Sequence, residues 1–423
     1  MLPATNDRTL SRYLLSAAHT IRQQIAAGLG DDAVARLGET AAVIARVAQQ
    51  IDGRDGQAED ARGEFEAILT AEAELAALTD AGEDGLFPAG ARSVDRDRSQ
   101  SYLRAHPLGG PHTHVSAARL LAGGRCKITA LIEQTGAVAL PSSLILRQDW
   151  DGGATDTTVA GEFALLERLY MHGVRVPRPL LVETDPQALG SPFIMVERIP
   201  GRVEGGLYNP PRSVPLMLQL AEQLGRIHAM PLTEVEPLLG TVREEAGARA
   251  VELKSFADGH MRFGLLSKIV DAAIAWLAAN EDLAGDTLSL VHNDFGFHNV
   301  LVDGDRLTAI LDWELAKIAH PASDLGYIKH FVDKVMPWDE FIAHYIASGG
   351  FRIPEETIRY HAVWNAVRLY GLIMVARHNL EIGRVNDMEI TYACADNVML
   401  LIAFLGREIF ATRTDAAPAP ATA

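Results

Sequence analysis

The chain has 423 residues, of which 48% are hydrophobic and 22% are charged, and it carries a formal net charge of −17. This composition is typical of a soluble globular protein with two or three domains, and the acidic charge argues against nucleic acid and anionic membranes as partners. Two distant cysteines, Cys126 and Cys394, argue against a disulfide framework, and no apolar run reaches the roughly 18 residues of a membrane helix.

Residues 1–95 predict a helical extension at the start of the chain. Apolar residues recur at helical spacing in three runs, at residues 10–25, 34–47 and 65–78. Three such helices favour a small antiparallel bundle, used either for packing and homodimerisation or as a cap over a substrate. No basic segment followed by an apolar core precedes them, so we expect a cytoplasmic protein without a signal peptide. A stretch rich in Gly, Pro, Asp and Arg over 80–111 predicts a connector.

Residues 112–200 predict a small strand-rich domain. Two apolar segments flank Gly123 and Gly124, which indicates a hairpin whose turn can approach a phosphate because glycine lacks a Cβ. A plain structural hairpin is the alternative. A strand over 144–147 ends in Arg147, and Glu162 follows in an amphipathic helix. A functional ion pair and an exposed surface pair are both compatible with this spacing.

Residues 201–411 predict a mainly helical domain. Amphipathic patterns indicate helices at 214–228, 265–278, 337–346, 355–377 and 386–405. Asn365, Arg368 and His378 are polar positions in or beside the fourth of these helices, and they belong either to a pocket lining or to one satisfied polar stripe. The segment 412–423, rich in Ala, Pro and Thr, predicts a disordered tail.

One hairpin interrupts this helical part of the chain. Two short apolar runs flank Asp303-Gly304-Asp305-Arg306, a strong local signal for a β-hairpin. Closing the hairpin brings Asn299, before its first strand, near Asp312, after its second strand. Asp294 precedes Asn299 by five residues. Carboxylate and amide oxygens suit Mg²⁺, which proteins hold with one or two carboxylates together with substrate phosphates.

This stretch resembles the catalytic loop and metal motif of the aminoglycoside phosphotransferase and choline kinase family. The loop reads His292-Asn293-Asp294 with Asn299 after it, and the metal motif reads Asp312-Trp313-Glu314. The family has glycine where Asn293 stands, and a left-handed backbone suits Asn as well. Arg147, where Lys is usual, and the sequences around 196–203 and 312–316 are similar to the subgroup found beside or fused to acyl-CoA dehydrogenases.

The resemblance, over residues 115–400, implies an α+β, bilobal protein-kinase-like fold with ATP and Mg²⁺ as cofactors. It implies that Asp294 accepts the proton of the acceptor hydroxyl, while Asn299 and Asp312 hold Mg²⁺. It further implies contacts to the nucleotide from Arg147, Glu162, Gly123, Gly124, Met195, Val196 and Arg198. Contacts to the acceptor are implied for Asn365, Arg368 and His378.

The resemblance also implies supporting residues around the loop. His292 is expected to brace it by hydrogen bonding, and Asp324 to cap its backbone N–H groups. His228 is expected to be buried against it, and His298 to pack or to contact substrate rather than to bind metal.

The sequence leaves the acceptor open. The similar subgroup includes kinases of hydroxyacyl-CoA thioesters, which favours an alcohol of this type, and an aminoglycoside is the alternative. A protein of another class, a non-catalytic nucleotide-binding scaffold, is the third possibility. Retention of Asp294, Asn299 and Asp312 argues against it, because a scaffold has no chemical need for all three.

Overall fold

The computed structural model describes residues 94–121, 127–149, 157–204, 210–239, 246–263, 267–381 and 398–410. The predicted bundle over 1–95, apart from its last two residues, and any dimer contact through it lie outside the described residues. The Gly123–Gly124 turn and the tail over 412–423 lie outside them as well. Contacts group the described residues into two units, one comprising Ala91–Leu253 and Ala275–Asn365, and another that includes Lys254–Ile274 and the residues after Asn365.

The larger unit begins with a β-sheet region. Its five strands are β1 His114–Leu120, β2 Lys127–Thr135, β3 Ser143–Asp149, β4 Pro179–Glu183 and β5 Phe193–Glu197. They form one antiparallel sheet in the order β1-β2-β3-β5-β4. Three helices accompany the sheet: α1 Arg96–Ala105, α2 Val159–Met171 and the short α3 Pro186–Leu189. The strands predicted on either side of Gly123 and around Arg147 are therefore confirmed.

Helix α1 lies where the sequence predicts a connector, and that prediction is wrong at residues 96–105. The Asp95 carboxylate caps the helix by accepting the backbone N–H groups of Asp97 at 2.8 Å and Arg98 at 2.9 Å. Leu103 is fully buried against the sheet. The sequence shows no helical periodicity here, because Tyr102 and Leu103 are the only large apolar residues of this helix.

The central strands place alternate side chains in two separate apolar clusters. Leu146 and Met195 belong to the cluster on the face that Leu103 covers. Val196 belongs to the larger core on the opposite face. Arg147 is paired in register with Ile194, and successive side chains of a strand point to opposite faces, so Arg147 lies on the face of Val196.

Helices dominate the chain after the sheet. They are α4 Val214–His228, α5 Leu232–Leu239, α6 Ala246–Phe263, α7 Lys268–Ala279, α8 Ala322–Val332, α9 Trp338–Ala347, α10 Glu355–Glu381 and α11 Val398–Phe410. The helix predicted over 214–228 is confirmed at both ends, and its first residue follows the cap Ser213, whose hydroxyl accepts the N–H of Leu216. None of the helices in the described ranges combines the length and apolarity that crossing a bilayer requires.

The predicted hairpin is confirmed between these helices. Strands β8 Val300–Asp303 and β9 Arg306–Ile310 pair in antiparallel fashion, with Asp303 opposite Arg306, and β6 Arg202–Val203 adds a third strand. Gly304 has φ +58°, a left-handed value that favours glycine in the turn. Strands β7 Ser289–Val291 and β10 Lys317–Ala319 form a second short pair. The loop between β7 and β8 contains Asp294, and Asp312 follows β9.

Candidate active site

The loop after β7 and the hairpin bring Asp294 and Asn299 into direct contact. The Asn299 side-chain amide donates to Asp294 Oδ2 at 3.0 Å and to the Asp294 carbonyl oxygen at 3.0 Å. The carbonyl oxygen of Asn299 accepts the backbone N–H of Leu311 at 2.8 Å. Because Asp312 is the next residue after Leu311, the hairpin brings the third predicted residue to the same end of the strands.

Asp312 has a backbone conformation that is rare for a residue with a Cβ. Its φ and ψ are both +65°, in the left-handed region. For a residue other than glycine, such a conformation costs about 1–2 kcal/mol. Its carboxylate remains 39% exposed, and Oδ1 lies 3.6 Å from Arg147 Nη2. A strained backbone that presents an accessible carboxylate beside a cation is the pattern that functional sites show.

Arg147 also forms an ion pair with Glu162. Arg147 Nε lies 3.1 Å from Glu162 Oε1, and the two side chains are 18% and 5% exposed. The alternative of an exposed surface pair is therefore wrong. Burial lowers the pKa of Arg147, but the charges of Glu162 and Asp312 outweigh burial and leave that pKa above its ordinary value. Burial raises the pKa of Glu162, and the charge of Arg147 opposes that rise.

The Asp294 carboxylate is held by Tyr327 and His298, and the sequence pattern did not predict either contact. The Tyr327 hydroxyl donates to Asp294 Oδ1 at 2.7 Å, and His298 Nε2 lies 3.2 Å from the same oxygen. Burial raises the pKa of Asp294, but the hydrogen bond and charge of His298 and the hydrogen bond of Tyr327 outweigh it, so the pKa lies well below its ordinary value. Tyr327 stands three residues after Asp324 on α8, a spacing that places both on one helix face.

Asp324 holds the backbone of the loop, as the family resemblance implies. Its carboxylate accepts the N–H groups of His292 and Asn293, each at 2.8 Å, and it lies 3.1 Å from His228 Nε2. Asn293 has φ +66°, so the left-handed backbone expected at this position is present. His292 Nε2 donates to the carbonyl oxygen of Leu311 at 2.9 Å, which connects the loop to the residue before Asp312.

The remaining predicted site residues have different surroundings. The Met195 side chain lies on the sheet face opposite Arg147, whereas Val196 shares the face of Arg147. Arg198 is half-exposed, with Nη1 3.6 Å from Glu133 Oε1. Asn365 is buried, and its amide donates to the carbonyl oxygen of Ser323 at 2.7 Å, so the polar-stripe interpretation fits it. Arg368 and His378 belong to the second unit.

The chemistry of the oxygen donors fits a hard divalent cation such as Mg²⁺. Asn299 Nδ2 is used by Asp294, while Asn299 Oδ1 accepts no hydrogen bond from the described residues, and Asp312 has an accessible carboxylate. Across the residues that the structure describes, no three His, Cys, Asp or Glu side chains cluster as a metal site. One carboxylate and one amide suit Mg²⁺ because it keeps water ligands and takes phosphate oxygens.

Comparisons with known proteins identify one family. A model of the phosphotransferase enzyme family matches residues 131–361. Acyl-CoA dehydrogenase family member 11 of Rattus norvegicus is 24% identical over 276 residues, which cover 61% of this chain and 34% of the rat protein. The match thus spans about a third of the rat protein's length. Viomycin phosphotransferase of Streptomyces vinaceus is 32% identical over 37% of this chain and 56% of that protein.

Solved structures have a similar fold at low sequence identity. A candidate aminoglycoside phosphotransferase of Ralstonia eutropha has a TM-score of 0.59 and 16% identity, over 74% of this chain and 98% of that chain. Spectinomycin phosphotransferase in complex with ADP and spectinomycin has a TM-score of 0.53 and 15% identity, over 75% of this chain and 100% of that chain. These similarities show a mixed α/β, protein-kinase-like fold, with a β-sheet region followed by helices.

Proposed function

Because the chain belongs to the phosphotransferase enzyme family, we propose that it transfers the γ-phosphoryl group of ATP to the hydroxyl group of a small molecule. The observation that supports this proposal most directly is the contact between Asp294 and Asn299, at the end of a hairpin that also presents Asp312. Arg147, 3.6 Å from Asp312, adds a cation at the same place. In this proposal the sheet region and the helical region are the two lobes of a bilobal kinase.

Asp294 positions the acceptor. Its ionised carboxylate accepts a hydrogen bond from the acceptor hydroxyl and takes the proton as the oxygen–phosphorus bond forms. The bond from the γ-phosphorus to the β–γ bridging oxygen breaks at the same time, and ADP leaves with that electron pair. A carboxylate whose pKa is held low by Tyr327 and His298 is a weak base, so its main contribution is orientation of the hydroxyl.

Asn299 and Asp312 are the residues that would hold Mg²⁺. When bound, the ion offsets the negative charge of the β- and γ-phosphates during transfer. The two side chains also orient the phosphates with respect to Asp294, because the hydrogen bond between Asn299 and Asp294 connects the two functions. Such orientation and charge stabilisation account for most of the catalysis in phosphoryl transfer.

Arg147 would hold the inner phosphates, oriented by Glu162. A guanidinium can bind two phosphate oxygens at once, so it replaces the usual Lys without loss of charge. The backbone of residues 195–198 would contact the adenine, and the Val196 side chain shares the face of Arg147. For Met195 only the backbone is available, since its side chain packs into the opposite cluster.

For the acceptor we propose a hydroxyacyl-CoA-type alcohol. The support is the relatives named acyl-CoA dehydrogenase family member 11 and a probable acyl-CoA dehydrogenase of Arabidopsis thaliana, 27% identical over 56% of this chain and 31% of that protein. Arg147 at the strand position that is usually Lys agrees with the same subgroup. An aminoglycoside is the second candidate, favoured by the match to viomycin phosphotransferase.

The deciding experiment is phosphate transfer from ATP·Mg²⁺ to a panel of hydroxyacyl-CoA esters and aminoglycosides. The proposal expects saturable transfer to a hydroxyacyl-CoA ester. Saturable turnover of an aminoglycoside at micromolar KM would contradict the CoA proposal and support the aminoglycoside alternative. Binding of ATP·Mg²⁺ without transfer to any acceptor or to water would favour the scaffold alternative.

A further inference from the structure

A series of buried hydrogen bonds connects Tyr345, in α9, with the backbone of the loop that carries Asp294. Tyr345 Oη lies 2.8 Å from His228 Nδ1, and His228 Nε2 lies 3.1 Å from Asp324 Oδ2. Asp324 in turn accepts the backbone N–H groups that precede Asp294. Tyr345 and Asp324 are 0% exposed and His228 is 1% exposed, so water cannot replace any of these partners.

The hydrogen-bond donors in this series can be assigned one after another. The Asp324 carboxylate only accepts hydrogen bonds, so His228 Nε2 donates to it, and the carboxylate has three donors: His228 and the two backbone N–H groups. Nδ1 of the neutral imidazole then carries no proton and accepts the hydroxyl proton of Tyr345. The backbone N–H of Phe351 donates to Tyr345 Oη at 3.2 Å.

Two glycines allow the backbone to pack closely against Tyr345. A Cβ on Gly350 would lie 2.3 Å from the Tyr345 ring, and a Cβ on Gly225 would lie 2.6 Å from the Tyr345 carbonyl oxygen. Gly225 precedes His228 by three residues on α4, so the close approach of the two helices occurs where the Tyr345 and His228 side chains meet. The position of the Tyr345 hydroxyl is thus set by packing on both sides.

We propose that Tyr345 is a positioning residue for the transfer reaction. Its hydroxyl donates to His228 Nδ1 and fixes the orientation of the ring, so that the Nε2–H group points at Asp324 and the backbone before Asp294 keeps its conformation. Tyr345 contacts neither Asp294 nor Asn299 and acts only through His228 and Asp324. The role in transfer rests on the proposed function, whereas the tautomer of His228 does not.

The tautomer is tested on the unaltered protein by NMR with ¹⁵N-labelled histidine, and the spectrum of H228Q identifies the signals of His228. We expect the signal of a protonated Nε2 and an unprotonated Nδ1 at neutral pH. In Y345F we expect Nε2 to keep its proton, because Asp324 still accepts it, and the Nδ1 signal to move towards that of a nitrogen without a hydrogen bond, because Nδ1 loses its donor. A protonated Nδ1 in the unaltered protein would overturn the proposal, even if Y345F does not fold.

Kinetics test the role in transfer. For Y345F we expect kcat to fall about tenfold with the nucleotide KM unchanged, the size of effect that partners behind an active site commonly have. Y102F is the matched control, because it removes a phenol hydroxyl that donates to Glu183 Oε2 at 3.2 Å in the sheet region. Equal kcat values for Y345F and the unaltered protein would overturn the role. Failure of the proposed function would look different, since the unaltered protein would transfer no phosphate while His228 kept its Nε2–H signal.

Discussion

Arg147 Nη2 lies 3.6 Å from Asp312 Oδ1, so a cation of strand β3 contacts the carboxylate that follows the hairpin. The same guanidinium pairs with Glu162 of α2. One side chain thereby connects the sheet, the helix beside it and the proposed metal ligand. Its replacement should therefore affect nucleotide binding more than the chemistry at Asp294.

Replacement of Arg147 should weaken nucleotide binding in proportion to the lost contacts. R147M removes the charge and should cost about 1.5–3 kcal/mol of nucleotide binding, the range for a hydrogen bond to a charged group. R147K keeps the charge but loses the planar fork, so its loss should be smaller. Titration calorimetry with ATP·Mg²⁺ measures the nucleotide affinity of both variants.

R178M is the control for these variants, since Arg178 is 45% exposed and pairs with Glu197 at 3.3 Å. Equal losses of nucleotide affinity in R178M and R147M would contradict the role assigned to Arg147.

Asp294→Asn should abolish most turnover while ATP binding persists. Asn retains the shape and loses the acceptor for the hydroxyl proton, so kcat should fall about 10²–10⁴-fold. Nucleotide affinity is measured in parallel by calorimetry and should change little. D303N changes an exposed Asp at the end of β8 and should keep full activity. A D294N variant that keeps more than half of the unaltered kcat would exclude Asp294 as the residue that orients the acceptor.

Tyr327→Phe should lower kcat about 10- to 100-fold, since one hydrogen bond to a charged group contributes about 1.5–3 kcal/mol. The Asp294 carboxylate then keeps His298 but loses the donor that fixes Oδ1 at 2.7 Å. The nucleotide KM should stay constant because the Tyr327 hydroxyl donates to Asp294, the residue proposed to orient the acceptor. Y170F, at a tyrosine that is 48% exposed, serves as the control. If only the KM of the nucleotide rises in Y327F, the side chain has a different role.

Asn293→Gly should be tolerated, whereas Asn293→Ala should destabilise the protein. The φ of +66° suits glycine without strain. Alanine at the same backbone conformation should cost about 1 kcal/mol of unfolding free energy. Urea unfolding measures the stability, and the transfer assay measures the activity of both variants. Equal stability of N293G and N293A would show that the left-handed conformation is not required at this position.

His361 should make the stability depend on pH between its two pKa values. Its ring is 2% exposed, with Nε2 2.9 Å from the Ala284 carbonyl oxygen, and burial lowers its pKa from 6.5 to about 4. His361 therefore binds a proton near pH 6.5 in the unfolded chain but only near pH 4 in the folded protein. The contribution of neutral His361 is complete above pH 6.5 and is lost as the pH falls towards 4.

The variant H361Q isolates this contribution, because glutamine can still donate to the Ala284 carbonyl oxygen and does not titrate. Between pH 7 and pH 5, the unfolding free energy of the unaltered protein should fall by about 1–2 kcal/mol more than that of H361Q. Denaturant unfolding at the two pH values measures this difference. Parallel losses in both proteins would show that His361 titrates alike in the folded and unfolded states.

Local patterns were sufficient wherever neighbours in the chain decide the structure. The hairpin around Gly304 and the helix over 214–228 follow from turn chemistry and periodicity. The left-handed backbone of Asn293 and the capping of the loop by Asp324 followed from the family resemblance. In contrast, α1 has too few apolar residues for its burial to be apparent before the sheet that it covers is known.

The sequence by itself determined which groups are the candidates for the chemistry: Asp294, Asn299 and Asp312 stand at spacings that one hairpin brings to the same end of its strands. Only the tertiary structure decided what surrounds them. Tyr327 reaches Asp294 from a helix 33 residues later, and Tyr345 reaches His228 across 117 residues. The physical reason is that a hydrogen bond between distant segments depends on how helices pack, and no local periodicity contains that information.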